Sequence, residues 1–181
     1  TTTVTSNGSV NGMHDSTMPL TGMFTMLNMM INCWFGGVGV GFMNYYVFII
    51  IAVFISGLMV GRTPEFLGKK VEAKEMKIAT IVALLHPFVI LVGTALASYL
   101  YVHNPAFVES EGGWLNNPSF HGLSEMLYEY TSCAANNGSG FEGLGDNTMF
   151  WNYTCGIVLI LSRFIPIVGQ VAIAGLLAEK K

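Results

Sequence analysis

The sequence predicts an all-α integral membrane fold in which two short re-entrant helices, each followed by a glycine-rich loop, are set between full-length spans. Three observations carry that reading. Hydrophobic residues make up 52% of the 181 positions and charged residues 10%, against about a quarter charged in soluble domains, and mean hydropathy is +0.54. Three apolar segments reach the roughly 20 residues that cross a bilayer. Two others stop short of that length and run directly into glycine.

The elements follow in order. Residues 1–15 are polar, with no initiator Met and neither the basic start nor the apolar run of a signal peptide; they read as the beginning of an internal fragment. A short helix over about 19–33 is too short to span, its apolar stretch being 19–31. A glycine loop at 35–41 leads into a span at 42–60, where Asn44 and Ser56 are almost the only polar interruptions. The second span covers 78–101, with His86-Pro87 as a candidate kink. A connection at 102–121 carries Glu109 and Glu111 but no Lys or Arg. A second short helix at 122–134 precedes the glycine loop 135–141, and the last span runs 149–177 with Arg163 near its middle. Residues 1–75 thus form an incomplete membrane-pore-membrane unit with its cytoplasmic loop, and 76–181 a complete one.

Charge sets the orientation. Five of the eight basic residues (Arg62, Lys69, Lys70, Lys74, Lys77) lie between the first and second spans, and Lys180 and Lys181 follow the third. The positive-inside rule makes both regions cytoplasmic and opens the glycine loops to the outside. A net charge of −3 with no basic block excludes nucleic acid as a partner.

The two loops share Gly-x-Gly-Phe at 39–42 and 138–141, 99 residues apart. Internal duplication is a common way to build transport proteins. A cation enters a membrane only where protein oxygens replace its water, and rings of backbone carbonyls do this in filters. Aiming consecutive carbonyls into a pore needs dihedrals that glycine accepts readily. The C-terminus of each preceding short helix, the negative end of its dipole, favours a cation. Gly37, Val38, Gly39 and Val40, with Asn136, Asn137, Gly138 and Ser139, are therefore the candidate filter residues. The alternative is close helix packing, which suits Gly57 and Gly61 but not four glycines in the six residues 36–41.

Other residues carry two readings each. Arg163 at mid-span is expensive: it is a fixed positive barrier below the filter or half of a structural ion pair. Glu65, after Thr63-Pro64, is a cation-holding carboxylate at the pore exit, a solvated loop charge, or a charge at a helix N-terminus. Glu125 and Glu129, one turn apart, are expected to bond to pore-helix or loop backbone. Glu142 and Asp146 would concentrate cations at the outer mouth. The histidines are too dispersed to suggest a metal, and Cys33, Cys133 and Cys155 read as ordinary buried thiols.

The stretches Phe35-Gly36-Gly37-Val38-Gly39, Gly57-Leu58-Met59-Val60-Gly61-Arg62-Thr63-Pro64-Glu65-Phe66-Leu67-Gly68-Lys69-Lys70 and Ala134-Ala135-Asn136-Asn137-Gly138-Ser139 resemble the A subunit of the Kdp potassium-transporting ATPases. His14-Asp15, Gly122-Leu123-Ser124-Glu125 and Asp146-Asn147 are similar to that family as well, and the likeness covers essentially the whole chain. The resemblance implies four membrane-pore-membrane units related to potassium channels, of which this chain holds the pore loop and second helix of the third and all of the fourth, without the first half of the subunit and its final helix. It implies a non-catalytic, multi-pass subunit of the bacterial inner membrane. That subunit selects extracytoplasmic potassium and passes it to an ATP-hydrolysing P-type partner, alongside small accessory subunits. No cofactor is expected besides the transported K+. No Walker A, phosphorylation motif or hydrolytic triad occurs in the sequence. A passive channel or symporter of the same architecture, or a scaffold whose glycines serve packing only, are the alternatives.

Overall fold

The computed structural model describes residues 2–33, 35–37 and 39–180. A 3₁₀ turn at His14–Ser16 precedes α1 (Pro19–Ile31), α2 (Val40–Val60), the two-residue strands β1 (Glu65–Phe66) and β2 (Lys69–Lys70), α3 (Ala73–His103), α4 (Pro105–Ser110), α5 (Phe120–Ala135) and α6 (Met149–Ala178). Three of these helices, α2, α3 and α6, are long and apolar enough to cross a membrane.

The local sequence explains where the ends differ from expectation. Asn32 in the left-handed region stops α1 at Ile31, two residues before the expected end. Glu72 and Glu75 form a capping box that starts α3 at Ala73 instead of residue 78, by satisfying N–H groups that a helix start leaves open. Pro87 lies inside α3 without breaking it, and Pro166 lies inside α6. Thr148 accepts from the Trp151 N–H at 3.4 Å and opens α6.

The helical fold carries one short hairpin: Leu67 and Gly68 both take positive φ (51° and 75°), the backbone of a two-residue hairpin turn. Thr63-Pro64 therefore begins a hairpin in which Glu65 faces Lys70, and Glu65 is no helix-terminal charge. Gly57 and Gly61 do not make a helix-packing face either. A β-carbon on Gly57 would lie 3.0 Å from Pro64, and Gly61, at φ 71°, caps α2.

The helices gather around α3, which packs against α2, α5 and α6. One core joins Val89, Ile90 and Ala97 of α3 to Met126 and Tyr130 of α5 and Trp151 of α6. A second, toward the other end, joins Val47 and Ile50 to Ala79, Val82 and Ile173. The connection 102–121 contributes more than a loop: Trp114 is 1% exposed and stacks on Phe150 with ring centres 4.6 Å apart. Large apolar side chains such as Leu84, Phe88, Leu91 and Phe164 face outward, as a lipid-facing surface requires.

Candidate functional site

The C-terminal ends of α1 and α5 are built alike. Asn32 (φ 42°, ψ 34°) and Asn136 (φ 55°, ψ 37°) each close their helix in the left-handed region. The carbonyl-rich, negative ends of both helices border one cavity of about 450 Å³ between α2, α3 and α6. Its polar lining includes Asn32, Asn44, His86, Asn136, Ser162 and Arg163. Pro87 and Pro166 donate no hydrogen bond, so the carbonyls of Ala83 and Ser162, both lining residues, lose their helical partners.

Beyond Asn136 the chain folds back on its own helix. The Asn137 N–H donates to Ser132 O at 2.8 Å, and the Gly138 N–H to Ser132 Oγ at 3.1 Å. Gly138 has φ 84°. The segment packed against this turn comes from the start of the chain. A β-carbon on Gly8 would lie 2.8 Å from Asn137 O and from Gly138 C, and 2.9 Å from Gly138 O. Ser6 is left-handed like Asn136, at φ 51°, and Asn-Gly-Ser stands at both 7–9 and 137–139. The match extends to Asp-Ser-Thr-Met at 15–18 and Asp-Asn-Thr-Met at 146–149. That repeat is the sequence signal for residues 6–9, which hold one glycine where 36–41 hold four.

The first glycine loop is placed differently from expectation. Gly39 shares φ 84° with Gly138, but it is the N-cap of α2 and its carbonyl accepts from Met43 at 3.0 Å. Val40 is the first residue of α2, so its carbonyl joins the helical ladder and is not offered to an ion. Gly36 O accepts from Gly41 at 2.8 Å, and Gly37 O from Gly39 at 3.0 Å. Val38 lies outside the described residues. The Gly37 N–H donates to Thr5 O at 3.0 Å, and a β-carbon on Gly37 would lie 4.0 Å from Arg163 Nη1. The loop therefore sits between the 4–6 segment and Arg163.

Arg163 Nε donates to Asn136 Oδ1, and Asn136 Nδ2 donates to Cys133 O at 2.9 Å. No carboxylate pairs with Arg163 among the described residues. Glu65 is exposed on its hairpin and away from the cavity lining. Asn137 is 5% exposed and its Oδ1 has no hydrogen-bond partner among the described residues.

A polar network holds the second turn from the other side. Ser139 Oγ shares a hydrogen bond with Tyr128 OH at 3.0 Å, which bonds His14 Nδ1 at 2.7 Å. Asn137 Nδ2 donates to Ser139 Oγ at 3.1 Å. Phe141 stacks on Tyr128 with ring centres 4.2 Å apart. His121 meets Asp15 at 2.7 Å, so two histidines expected to be scattered converge here. Glu125 is bonded by the Asn117 side chain at 3.1 Å and also by the loop backbone of Asn117, the kind of partner expected for it. Asn117 also bonds Asp15 at 3.2 Å. The Asn117 amide thus bridges the two carboxylates, and Gly143 packs closely against both, a β-carbon there lying 2.4 Å from Asp15 Oδ2 and 2.8 Å from Glu125 Oε1. Burial above all pushes the Glu125 carboxyl up, against the Asn117 hydrogen bond, and Asp15 adds to the rise. Glu142 accepts from the Asp15 N–H at 3.2 Å.

Fold and site together define a membrane protein in which two Asn-Gly-Ser turns meet and two helix C-termini border a largely apolar cavity that carries Arg163. The chain belongs to the potassium-transporting ATPase A subunit family, whose model matches residues 1–181. It is 87% identical over its whole length to the potassium-transporting ATPase potassium-binding subunit of Phocaeicola vulgatus. Identity is 69% to that of Flavobacterium johnsoniae and 52% to that of Geobacillus kaustophilus, over 99% of the chain in each case. The chain spans about a third of the length of these relatives: 32%, 32% and 31%.

Proposed function

We propose that this chain is part of the potassium-selecting subunit of an ATP-driven uptake pump, and that it supplies two sides of a backbone-carbonyl filter. The contact of Gly8 with the Asn137-Gly138 backbone is the observation that carries the reading. It brings two turns of one sequence and one left-handed entry together. Rings of such carbonyls replace the water shell of K+. The buried, unpartnered Asn137 Oδ1 supports it, because a buried acceptor calls for a partner such as a cation. The facing units of the ring come from membrane-pore-membrane repeats outside this chain. The first repeat here is incomplete and the second runs from α3 to α6, with α5 as its re-entrant helix. In this proposal Ser6–Ser9 replaces Gly37–Val40 as the first filter segment. Gly37 and Gly39 then form a constriction between that segment and Arg163.

Hydrolysis belongs to a P-type partner subunit, with small accessory subunits completing the complex in a bacterial inner membrane. The basic 62–77 region and the C-terminus then lie in the cytoplasm. Copurification of the full-length subunit from native membranes tests this. The expected result is an ATPase partner whose hydrolysis is stimulated by K+. Channel currents without any partner would overturn it in favour of a passive pore.

The Ser139–Tyr128–His14 chain makes a narrower prediction. Tyr128→Phe keeps the ring stacked on Phe141 and removes one hydroxyl, worth about 1 kcal/mol per hydrogen bond. The expected outcome is a several-fold weaker K+ half-saturation of ATP hydrolysis with unchanged assembly. An unchanged half-saturation would show that the network does not position Ser139.

A further inference from the structure

Behind the second turn, α5 and α6 bring three soft and acidic ligands together. Glu129 and Cys133 stand one helical turn apart on α5, and Cys155 reaches them from α6. Cys133 Sγ lies 3.5 Å from Glu129 Oε1 and Cys155 Sγ 3.7 Å from the same oxygen. The three ligand atoms all lie within 4.8 Å of one another, and each residue is half-buried. A tetrahedral ion with metal–sulfur bonds of ~2.3 Å and a metal–oxygen bond of ~2.0 Å holds its sulfur and oxygen ligands ~3.5 Å apart. The observed separations match that spacing. Unlike the Asp15–His121–Glu125 group, whose two carboxylates already accept from the Asn117 amide, this group has both thiols directed at one carboxylate oxygen. The Tyr130 hydroxyl donates to Thr154 Oγ1 at 3.0 Å, fastening the two helices beside the cluster. On the other side, a β-carbon on Gly140 would stand 3.3 Å from Glu129 Oε2.

We infer that Glu129, Cys133 and Cys155 form a binding site for a thiophilic divalent cation of the zinc and cadmium class, joining α5 to α6 beside the Asn137-Gly138 turn. Two thiolates select such an ion over Mg2+, Ca2+ and alkali cations, which prefer oxygen. Binding replaces two S–H bonds with two metal–sulfur bonds and adds one carboxylate–metal bond. Two protons pass to solvent and no oxidant or reductant is needed. Three protein ligands leave a fourth position for water. In this proposal Cys133 and Cys155 do more than the ordinary buried thiols the sequence suggests, and Cys33 takes no part.

The probe is Cd2+ added to the reduced, assembled complex containing the full-length subunit. Elemental analysis is expected to find one more Cd2+ per subunit in the unmodified protein than in Cys133→Ser/Cys155→Ser, with a thiolate-to-cadmium absorption band that the double variant lacks. Cd2+ is also expected to protect Cys133 and Cys155 of the unmodified protein from maleimide, read peptide by peptide, while Cys33 stays reactive. That readout does not depend on a variant folding. Equal Cd2+ content in the two proteins, or protection of Cys33 equal to that of Cys133 and Cys155, would overturn the assignment. The site does not depend on the filter reading, so its failure and the failure of that reading are separate outcomes.

Discussion

Alanine at Gly8 is expected to raise the K+ concentration for half-maximal ATP hydrolysis of the assembled complex at least about tenfold, whereas alanine at Gly39 leaves it within about twofold. The asymmetry follows from what each new methyl group meets. At Gly8 it lands 2.8 Å from Asn137 O and Gly138 C, closer than non-bonded atoms tolerate, and both obstacles are backbone. One turn must move, and overpacking of this kind costs about 1–3 kcal/mol. In a filter that displacement falls on the coordinating carbonyls, and 1.4 kcal/mol is already tenfold in affinity. At Gly39 a β-carbon meets nothing within 4 Å, but φ is 84°. The cost there is left-handed strain of ~1–2 kcal/mol, felt as a lower Tm rather than as weaker K+ binding. The reverse pattern, with Gly39→Ala damaging affinity and Gly8→Ala silent, would return the filter to the 35–41 loop.

The long elements were legible because their signal is compositional. Lipid-facing helices need unbroken apolar sequence, and residues 42–60, 78–101 and 149–177 provide it, so α2, α3 and α6 lie within a few residues of those bounds. The caps were less legible. The Glu72–Glu75 box lengthens α3 through two charged side chains that lie outside the apolar run 78–101, and Leu67-Gly68 turns a helix start into a hairpin. The pairing of turns was harder still. Glycine density marked 35–41, but density alone does not distinguish a carbonyl-lined turn from a helix N-cap, since both use φ near 84°. What separates them is where the carbonyls go: Gly36, Gly37 and Gly39 spend theirs on local N–H groups. The short Asn-Gly-Ser repeat at 7–9 and 137–139 carried the answer with only three letters. The convergence of Cys133, Cys155 and Glu129 likewise depends on the α5–α6 approach, which no linear spacing displays.

Arg163→Ala is expected to produce ATP-independent K+ leakage and weaker discrimination among alkali cations, while Arg163→Lys retains most of the barrier. The guanidinium borders a cavity otherwise lined by apolar side chains and neutral polar groups, including Asn32, Asn44, Asn136 and Ser162, and no carboxylate offsets it among the described residues. At an effective dielectric of 20, a unit charge about 4 Å from a passing cation opposes it by ~4 kcal/mol. That is enough to close a straight route and favour a lateral one. The helix C-termini of α1 and α5 favour a cation in the same region, so in the proposed function the site draws K+ in and Arg163 limits its descent. Arg163→Lys keeps the charge but loses the Nε–Asn136 hydrogen bond. It therefore separates the electrostatic role from anchoring of the second turn. A leak in the alanine variant alone assigns the effect to charge, whereas equal leaks in both variants assign it to the Asn136 anchor. Tracer K+ uptake into proteoliposomes without ATP measures both variants. Background flux with unaltered selectivity in each would remove Arg163 from the barrier altogether.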